Sequence, residues 1–389
     1  VQSERAYLDH AATTTLLPEA VEAWLEASAR VGNPSSLHSS GRATRRIVEE
    51  SRESIADDLD VRPSEVLFTS GGTEADNLAV KGLAWARPDR PRILCSAIEH
   101  HAVLDPVAWL GEQGRDITWL PVDARGRVDL DAVRDSLGDD VSLCTVMWAN
   151  NEVGTIQPIA EIAAACAEWG VPFHTDAVQA LGQVPVDAAL PGLTSLAVSG
   201  HKLGSPVGTG ALVLRRDAQI VPHMHGGGQE REVRSGTFDA AGIAALAVAV
   251  RRAVSDRIAH AARMVGLRDS LIEGIGSIVP EAVINGDAVE RLPGNVHVSF
   301  PDCEGDTLLM LLDAAGVECS TGSACTAGVP EPSHVLEAMG VAPAVARGSL
   351  RFSLGRASTA ADVDRVLEVL PAVIDRAQRA ATPRLRRAR

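Results

Sequence analysis

The chain has 389 residues, 46% of them hydrophobic and 22% charged, and its 36 basic and 51 acidic side chains leave a net charge of −15. That balance argues against a general polyanion binder, which needs a positive field, and an aromatic content of 3% leaves few platforms for stacking bases, so no direct nucleic-acid binding is expected. At about 150 residues per domain the length gives roughly two or three domains, with a core large enough to fold without disulfide staples or a structural metal.

In chain order, the first residues are polar, and no signal peptide is expected before Tyr7. A helix is predicted over 18–29, with Pro18 in its first turn, and another over 42–59, where Ile47, Val48, Ile55 and Leu59 share one face. Strands are then predicted at 66–69, 92–95, 117–120 and 141–148, with helices at 73–86, 102–112, 130–137 and 159–169 between and after them, and further strands at 172–176, 195–198 and 211–214. Strands separated by helices need crossover connections, so this part reads as an α/β domain with a mostly parallel sheet flanked by helices. The longest near-apolar run, residues 240–250, is 11 residues long, whereas a bilayer span needs about 20; it predicts a buried helix and no membrane span. After a long helical stretch over 239–275 the texture changes. Strands at 282–284, 295–300 and 349–354 flank helices at 306–315 and 361–379, which predicts a smaller α+β domain joined by an N-terminal strand at 6–8. The expected division is 16–255 for the large domain and 1–15 with 256–389 for the small one. The basic end, with Arg384, Arg386, Arg387 and Arg389, reads as a solvated tail.

Six cysteines are scattered without a C-x-x-C pair, so zinc spacings are missing, no metal site is expected, and a reducing, cytoplasmic location is. Cys95, Cys144 and Cys166 sit in apolar patterns and read as small buried hydrophobes. Cys325 differs. Small residues, Gly328, Pro330 and Pro332 surround it, so its thiol is expected to be exposed and reactive, and Cys319 to be structural.

Four further constellations carry chemistry. Thr69-Ser-Gly-Gly-Thr-Glu lies between a strand and a helix, where Gly72 and Thr73 could cradle a phosphate at the helix start. An ordinary capped β–α turn fits the same residues, and the spacing matches neither nucleotide fingerprint. Ser199-Gly-His-Lys202 follows a buried strand, where a desolvated amine suits Schiff-base chemistry. A solvated loop lysine is the alternative, but the chain has only two lysines, Lys81 and Lys202, and uses arginine elsewhere. Asp176 ends another strand and could pair with a protonated ring nitrogen or merely cap a turn. His100, in Glu99-His-His, could stack on a planar cofactor; adjacent histidines diverge too much for a good metal pair.

Together with Tyr7-Leu-Asp-His-Ala-Ala-Thr-Thr, Asn150-Asn-Glu-Val-Gly, His174-Thr-Asp-Ala-Val-Gln, His225-Gly-Gly-Gly-Gln-Glu, Arg234-Ser-Gly-Thr, Gly322-Ser-Ala-Cys and Arg351-Phe-Ser-Leu-Gly-Arg, these stretches resemble the cysteine desulfurases. These are pyridoxal-phosphate enzymes related to aminotransferases, and the likeness runs through nearly the whole chain in order. The residues around Cys325 resemble the branch with a long cysteine loop. The resemblance implies that Lys202 holds pyridoxal 5'-phosphate through a Schiff base and removes the substrate α-proton. It implies that Asp176 pairs with the ring nitrogen, His100 stacks on the ring, and Asn151 and Gln179 meet its phenolate side. Gly72, Thr73, Ser199 and His201 would bind the phosphate, Thr237 the phosphate of a neighbouring subunit in a homodimer, and Arg351 with Asn151 the substrate carboxylate. L-Cysteine would yield L-alanine, with sulfur passing to Cys325 as a persulfide and then to a protein acceptor, an iron–sulfur scaffold or a tRNA- or cofactor-thiolating enzyme. Two departures from the family pattern, Gly72 in place of a frequent alanine and Cys325-Thr-Ala-Gly in place of Cys-Thr-Ser, leave the chemistry intact. A selenocysteine lyase or related β-eliminase, a non-catalytic scaffold and a His/Cys metal protein are the rival readings.

Overall fold

The structure is a computed structural model and describes residues 5–321 and 333–385. Its strands are β1 (Ala6–Tyr7), β2 (Val66–Thr69), β3 (Arg92–Ser96), β4 (Asp116–Leu120), β5 (Val141–Thr145), β6 (Phe173–Asp176), β7 (Leu193–Ser199), β8 (Gly210–Leu214), β9 (Val283–Asn285), β10 (Asn295–Ser299), β11 (Val317–Glu318) and β12 (Ser349–Ser353). The apolar runs of the first part form one sheet in the order β2-β8-β7-β6-β5-β3-β4. β3 through β7 are mutually parallel, and β8 alone runs against its neighbours β7 and β2. The connection from Ser199 to Gly210 is too short for the dozen or more residues of a parallel crossover, so β8 must return antiparallel.

Every residue of β2, β5, β6 and β8 is buried, as expected for strands covered on both faces. On one face the helices Gly72–Trp85 and His101–Glu112 bring Leu78, Leu83, Val103 and Val107 against Leu67, Ile93, Leu143 and Leu212. On the other, Val48, Ile55, Ile162, Leu246 and Val250 pack against Phe68, Leu94, Cys144, Phe173 and Leu196. A second core lies around the antiparallel sheet β12-β10-β9, with Val296, Val298, Leu350 and Phe352 meeting Leu308, Leu312, Val366 and Leu370. β1 pairs in parallel with β11, Ala6 against Val317, which ties the N-terminus to this second core.

The helix Ala240–Ile278 serves both cores: Ile243 to Ala253 lie in the first, and Met264, Leu271 and Ile275 in the second. The proposed boundary after residue 255 falls between those two sets, in mid-helix rather than in a linker. Three sequence expectations need correcting. The helix expected over 361–379 runs over Ala360–Leu385, so its backbone continues through Arg384. The strand expected over 141–148 ends at Thr145, although the Val146 and Trp148 N–H groups still donate to the His174 and Asp176 carbonyls of β6 at 3.2 and 2.8 Å. The helix expected from residue 42 starts at Ser39, capped by His38, whose Nδ1 accepts the Gly41 N–H at 3.2 Å.

Candidate active site

The strand ends assemble the site, as the open α/β architecture dictates. After β2 the chain turns at Gly71, whose φ of +152 suits glycine and whose missing side chain would meet nothing within 4 Å, and enters the helix at Gly72. A Cβ on Gly72 would meet Val178 Cγ2 at 2.9 Å and Ser199 Cβ at 3.3 Å, so this helix start sits close against the ends of β6 and β7, and a larger residue would need those side chains to give way. After β7, the single turn Gly200–Lys202 directs Lys202 inward. β6 ends in Asp176, and His100 follows β3 as the N-cap of the helix His101–Glu112. Gly72, Thr73, His100, Asn151, Asp176, Gln179, Ser199, His201, Lys202 and Arg351 all line one cavity of about 510 Å³.

The charges in this cavity are tuned in opposite directions. Burial, reinforced by Arg351, pushes the Lys202 amine down to about 8, with Asp176 and Asp9 only partly restoring it. Lys202 Nζ donates to the Ala11 and Ala12 carbonyls, the latter at 2.7 Å, and Gln179 Nε2 donates to the same Ala11 carbonyl at 2.9 Å. Burial also pushes the Asp176 carboxyl up to about 6, although its Oδ1 accepts the Val178 N–H at 2.8 Å. Burial and then Lys202 lower both His100 and His201 to about 4, so both rings are neutral at pH 7. His100 Nδ1 accepts the Ala102 N–H at 3.0 Å, which puts the ring proton on Nε2. Beneath the cavity, His174 Nε2 lies 3.2 Å from Asp76 Oδ1 and its Nδ1 2.8 Å from Ser195 Oγ, and all three residues are buried.

The helix start combines orphan N–H groups with a positive dipole end, and Glu74, in its first turn, would oppose an anion. Arg234 takes that carboxylate in a two-pronged pair at 2.7 and 3.2 Å, which leaves the helix start free to attract a phosphate. On the opposite wall Arg351 is 5% exposed; Nη1 donates to the Asn151 carbonyl and Nη2 to Asp9 Oδ1, each at 2.9 Å, while Nε has no partner among the described residues. Two of its five N–H groups are thus used, and the planar fork suits a carboxylate. The turn that presents Asn151 is fixed by Asn150, whose Oδ1 accepts the Glu152 and Val153 N–H groups at 2.9 Å.

One expected site residue among those described is not brought to this cavity. Thr237 is exposed on the turn after Arg234 and does not line it. Cys325 lies outside the described residues. Cys319, by contrast, is buried, and burial pushes its thiol far above the usual range. Sequence reasoning gave no role to Glu152, His334 or Asp76, which also line the cavity, as does His101, weighed there only as a poor metal ligand beside His100. Glu152 lay within a motif already noticed and Asp76 just beyond one, but their neighbours come from residues 98 to 181 positions away, a distance no local pattern reports.

The class-V aminotransferase family model matches residues 6–366. The IscS-like cysteine desulfurase of Mycobacterium tuberculosis is 58% identical over 384 residues, 97% of this chain and 98% of that protein. The cysteine desulfurase IscS of Methanosarcina thermophila is 46% identical over 96% of this chain and 93% of its own length. A solved NifS-like protein superposes with a TM-score of 0.89 at 35% identity, over 95% of this chain and 99% of that one. Pyridoxal phosphate, the cofactor of this family, fits the donor set: a glycine-lined helix start for the phosphate, a buried carboxyl at Asp176 for the ring nitrogen, and a lysine lowered to about 8. The chain belongs to the class-V aminotransferase family, among its cysteine desulfurases.

Proposed function

We propose that this enzyme converts L-cysteine to L-alanine with pyridoxal phosphate, and that Cys325 receives the sulfur as a persulfide and hands it to an acceptor protein. The observation that carries the sulfur assignment is one of elimination. The sequence holds six cysteines; the five described, Cys95, Cys144, Cys166, Cys303 and Cys319, are all buried, and none lines the cavity. A buried thiol resists ionisation, and the thiolate is the nucleophile. Cys325 is the one that remains.

When bound, the cofactor withdraws electrons from the substrate α-carbon. Gly72, Thr73, Ser199 and His201 hold its phosphate, Asp176 its ring nitrogen, Gln179 its phenolate side and His100 its ring face. Arg351 takes the substrate carboxylate in its fork, with Asn151 beside it. Lys202 Nζ, low enough in basicity to be released unprotonated, accepts the α-proton and later returns one to the product. The Cys325 thiolate attacks the substrate sulfur: the S–S bond forms, the substrate Cβ–S bond breaks, and its electron pair stays with the carbon skeleton until a proton completes alanine. No outside oxidant is needed. Iron–sulfur cluster assembly or tRNA and cofactor thiolation would consume the persulfide, and a cytosolic location keeps Cys325 reduced. Thr237, exposed outside its own cavity, is free to serve a second subunit's phosphate in the homodimer that the family resemblance implies.

The test is Cys325→Ser. It is expected to abolish sulfide and persulfide formation from L-cysteine while the cofactor's visible absorbance stays, and borohydride should still trap the cofactor on Lys202. A serine variant that released sulfide at the full rate would overturn the sulfur assignment. Labelled persulfide on Cys325, offered to candidate acceptors, identifies the consumer.

A further inference from the structure

The described residues stop at Thr321 and resume at Ser333, and both of these ends are tied to the walls of the same cavity. On the first side Ser320 and Arg351 exchange backbone hydrogen bonds, 2.7 Å from the Arg351 N–H and 3.1 Å from the Ser320 N–H. On the second, Ser333 Oγ accepts the Leu336 N–H at 3.2 Å, capping the helix His334–Ala338, and donates its own proton to Glu152 Oε2 at 2.5 Å. His334 Nε2 lies 2.9 Å from the Glu99 carbonyl, the residue before His100, and its ring stands 5.4 Å from that of His101. A carbonyl only accepts, so Nε2 carries the His334 proton.

Glu152 is 2% exposed, and its own backbone is fixed by two buried asparagines: its N–H goes to Asn150 Oδ1 and its carbonyl takes Asn295 Nδ2 at 2.9 Å. Burial raises its carboxyl to about 7, against the Ser333 hydroxyl and the nearby Arg351, which favour the anion. A buried acid in a bind-and-release cavity is costly, and a packing role would be served as well by an apolar residue. What an apolar residue cannot do is accept the Ser333 hydroxyl.

We propose that Glu152 is a positioning residue for sulfur transfer: it accepts the Ser333 hydroxyl and so fixes, beside the residues that hold cofactor and substrate, the point from which the Cys325 segment departs. His334 acts with it through the Glu99 carbonyl, linking the same stem to the turn that carries His100. The pair couples two elements that sit 181 residues apart in sequence, and adds a directional polar tie to the packing of Val335 and Leu336 with Ile98, Met147 and Val153. This rests on the reading that Cys325 takes the sulfur.

The experiment compares Glu152→Ala, which leaves Ser333 and its cap in place but removes the acceptor, with Glu152→Gln, whose side-chain carbonyl can still accept. In holoenzyme, single-turnover persulfide formation on Cys325 is expected to fall at least tenfold in Glu152→Ala and to recover to within about threefold of wild type in Glu152→Gln. Exchange of the α-proton of L-alanine in D2O, which uses Lys202 and no thiol, reads the rest of the site; it should change much less than persulfide formation. Hydrogen exchange of the 333–340 backbone should quicken in Glu152→Ala and not in Glu152→Gln. His334→Ala, at the second stay, should slow persulfide formation in the same selective way. Equal loss of alanine exchange and persulfide formation would overturn the proposal, since Glu152 would then serve the cofactor site as a whole. So would an alanine variant with the wild-type persulfide rate. Failure of the underlying reading is distinguishable: Cys325→Ser would keep desulfurating.

Discussion

Lys202 must be unprotonated to capture the cofactor, and its surroundings set how often it is. An ordinary lysine, near 10.5, is a free amine about once in 3,000 molecules at pH 7. Held at about 8, Lys202 is free in about one molecule in ten, an advantage of roughly 300-fold. Mixing apoenzyme with pyridoxal phosphate and following the visible absorbance by stopped flow should give a capture rate that climbs about tenfold from pH 6 to 7, bends near 8 and is flat above about 9. Free cofactor with a model amine, run in parallel, removes the cofactor's own titrations. Asp176→Asn removes a group that raises the amine and should move the bend down; Arg351→Leu removes one that lowers it and should move the bend up. The stability of the apoenzyme follows by linkage. Between about 8 and 10.5 the unfolded chain holds a proton that the folded chain lacks, so stability rises with pH across that window, by at most about 3 kcal/mol. A capture rate that kept climbing tenfold per unit to pH 10 would refute the claim that burial tunes this amine.

Arg351→Lys keeps a positive charge but loses the planar fork and its hold on Asp9 and the Asn151 carbonyl, so the KM for L-cysteine should rise about 10- to 100-fold in steady-state assays. Asp176→Asn leaves a side chain that cannot stabilise a ring cation, and deuterium exchange at the α-carbon of L-alanine should slow by at least 100-fold while the cofactor remains bound. Arg52→Ala strands Glu230, 2% exposed, which Arg52 holds through contacts at 2.9 and 3.3 Å; denaturant unfolding should show a loss of about 3–5 kcal/mol. Arg234→Ala frees the Glu74 carboxylate at the helix start, and the affinity for inorganic phosphate and for the cofactor should fall about tenfold in equilibrium titrations.

The fold was legible because its strands announce themselves. Short β-branched runs alternate with helical faces at the spacing a parallel sheet needs, and the residues that end β2, β3, β6 and β7 are the ones the sequence marked as chemical. Lys202 stood out by rarity, a signal independent of structure. Much less legible was what lies across the cavity from those strand ends. Arg351 meets Asp9 across 342 positions and Ser333 meets Glu152 across 181, and the pattern of either segment alone carries no trace of its partner. The reversal of β8 was latent in its short connection, yet its second neighbour, β2, lies about 145 residues upstream, and only closure of the sheet brings the two together. Local periodicity fixes a face; it does not name what the face meets.

The two ends of the cavity explain each other. A buried carboxyl at Asp176 and a depressed lysine at residue 202 would each be a cost if the cavity were only a structural void. Pyridoxal phosphate, when held here, would relieve both: Asp176 would face its ring nitrogen, and Lys202 would hold it through the amine. That bond would take up the Lys202 lone pair and leave the Arg351 fork as the cavity's remaining cationic partner for a carboxylate. In the apoenzyme, Lys202 and Arg351 should both compete weakly for a ligand carboxylate; in the holoenzyme only Arg351 should. Equilibrium dialysis of propionate, which is L-alanine without the amine that would react with the cofactor, against Arg351→Leu tests this. Residual binding by the apo form and none by the holo form is the expected pair of results, and equal binding by both would break the link between the two charges.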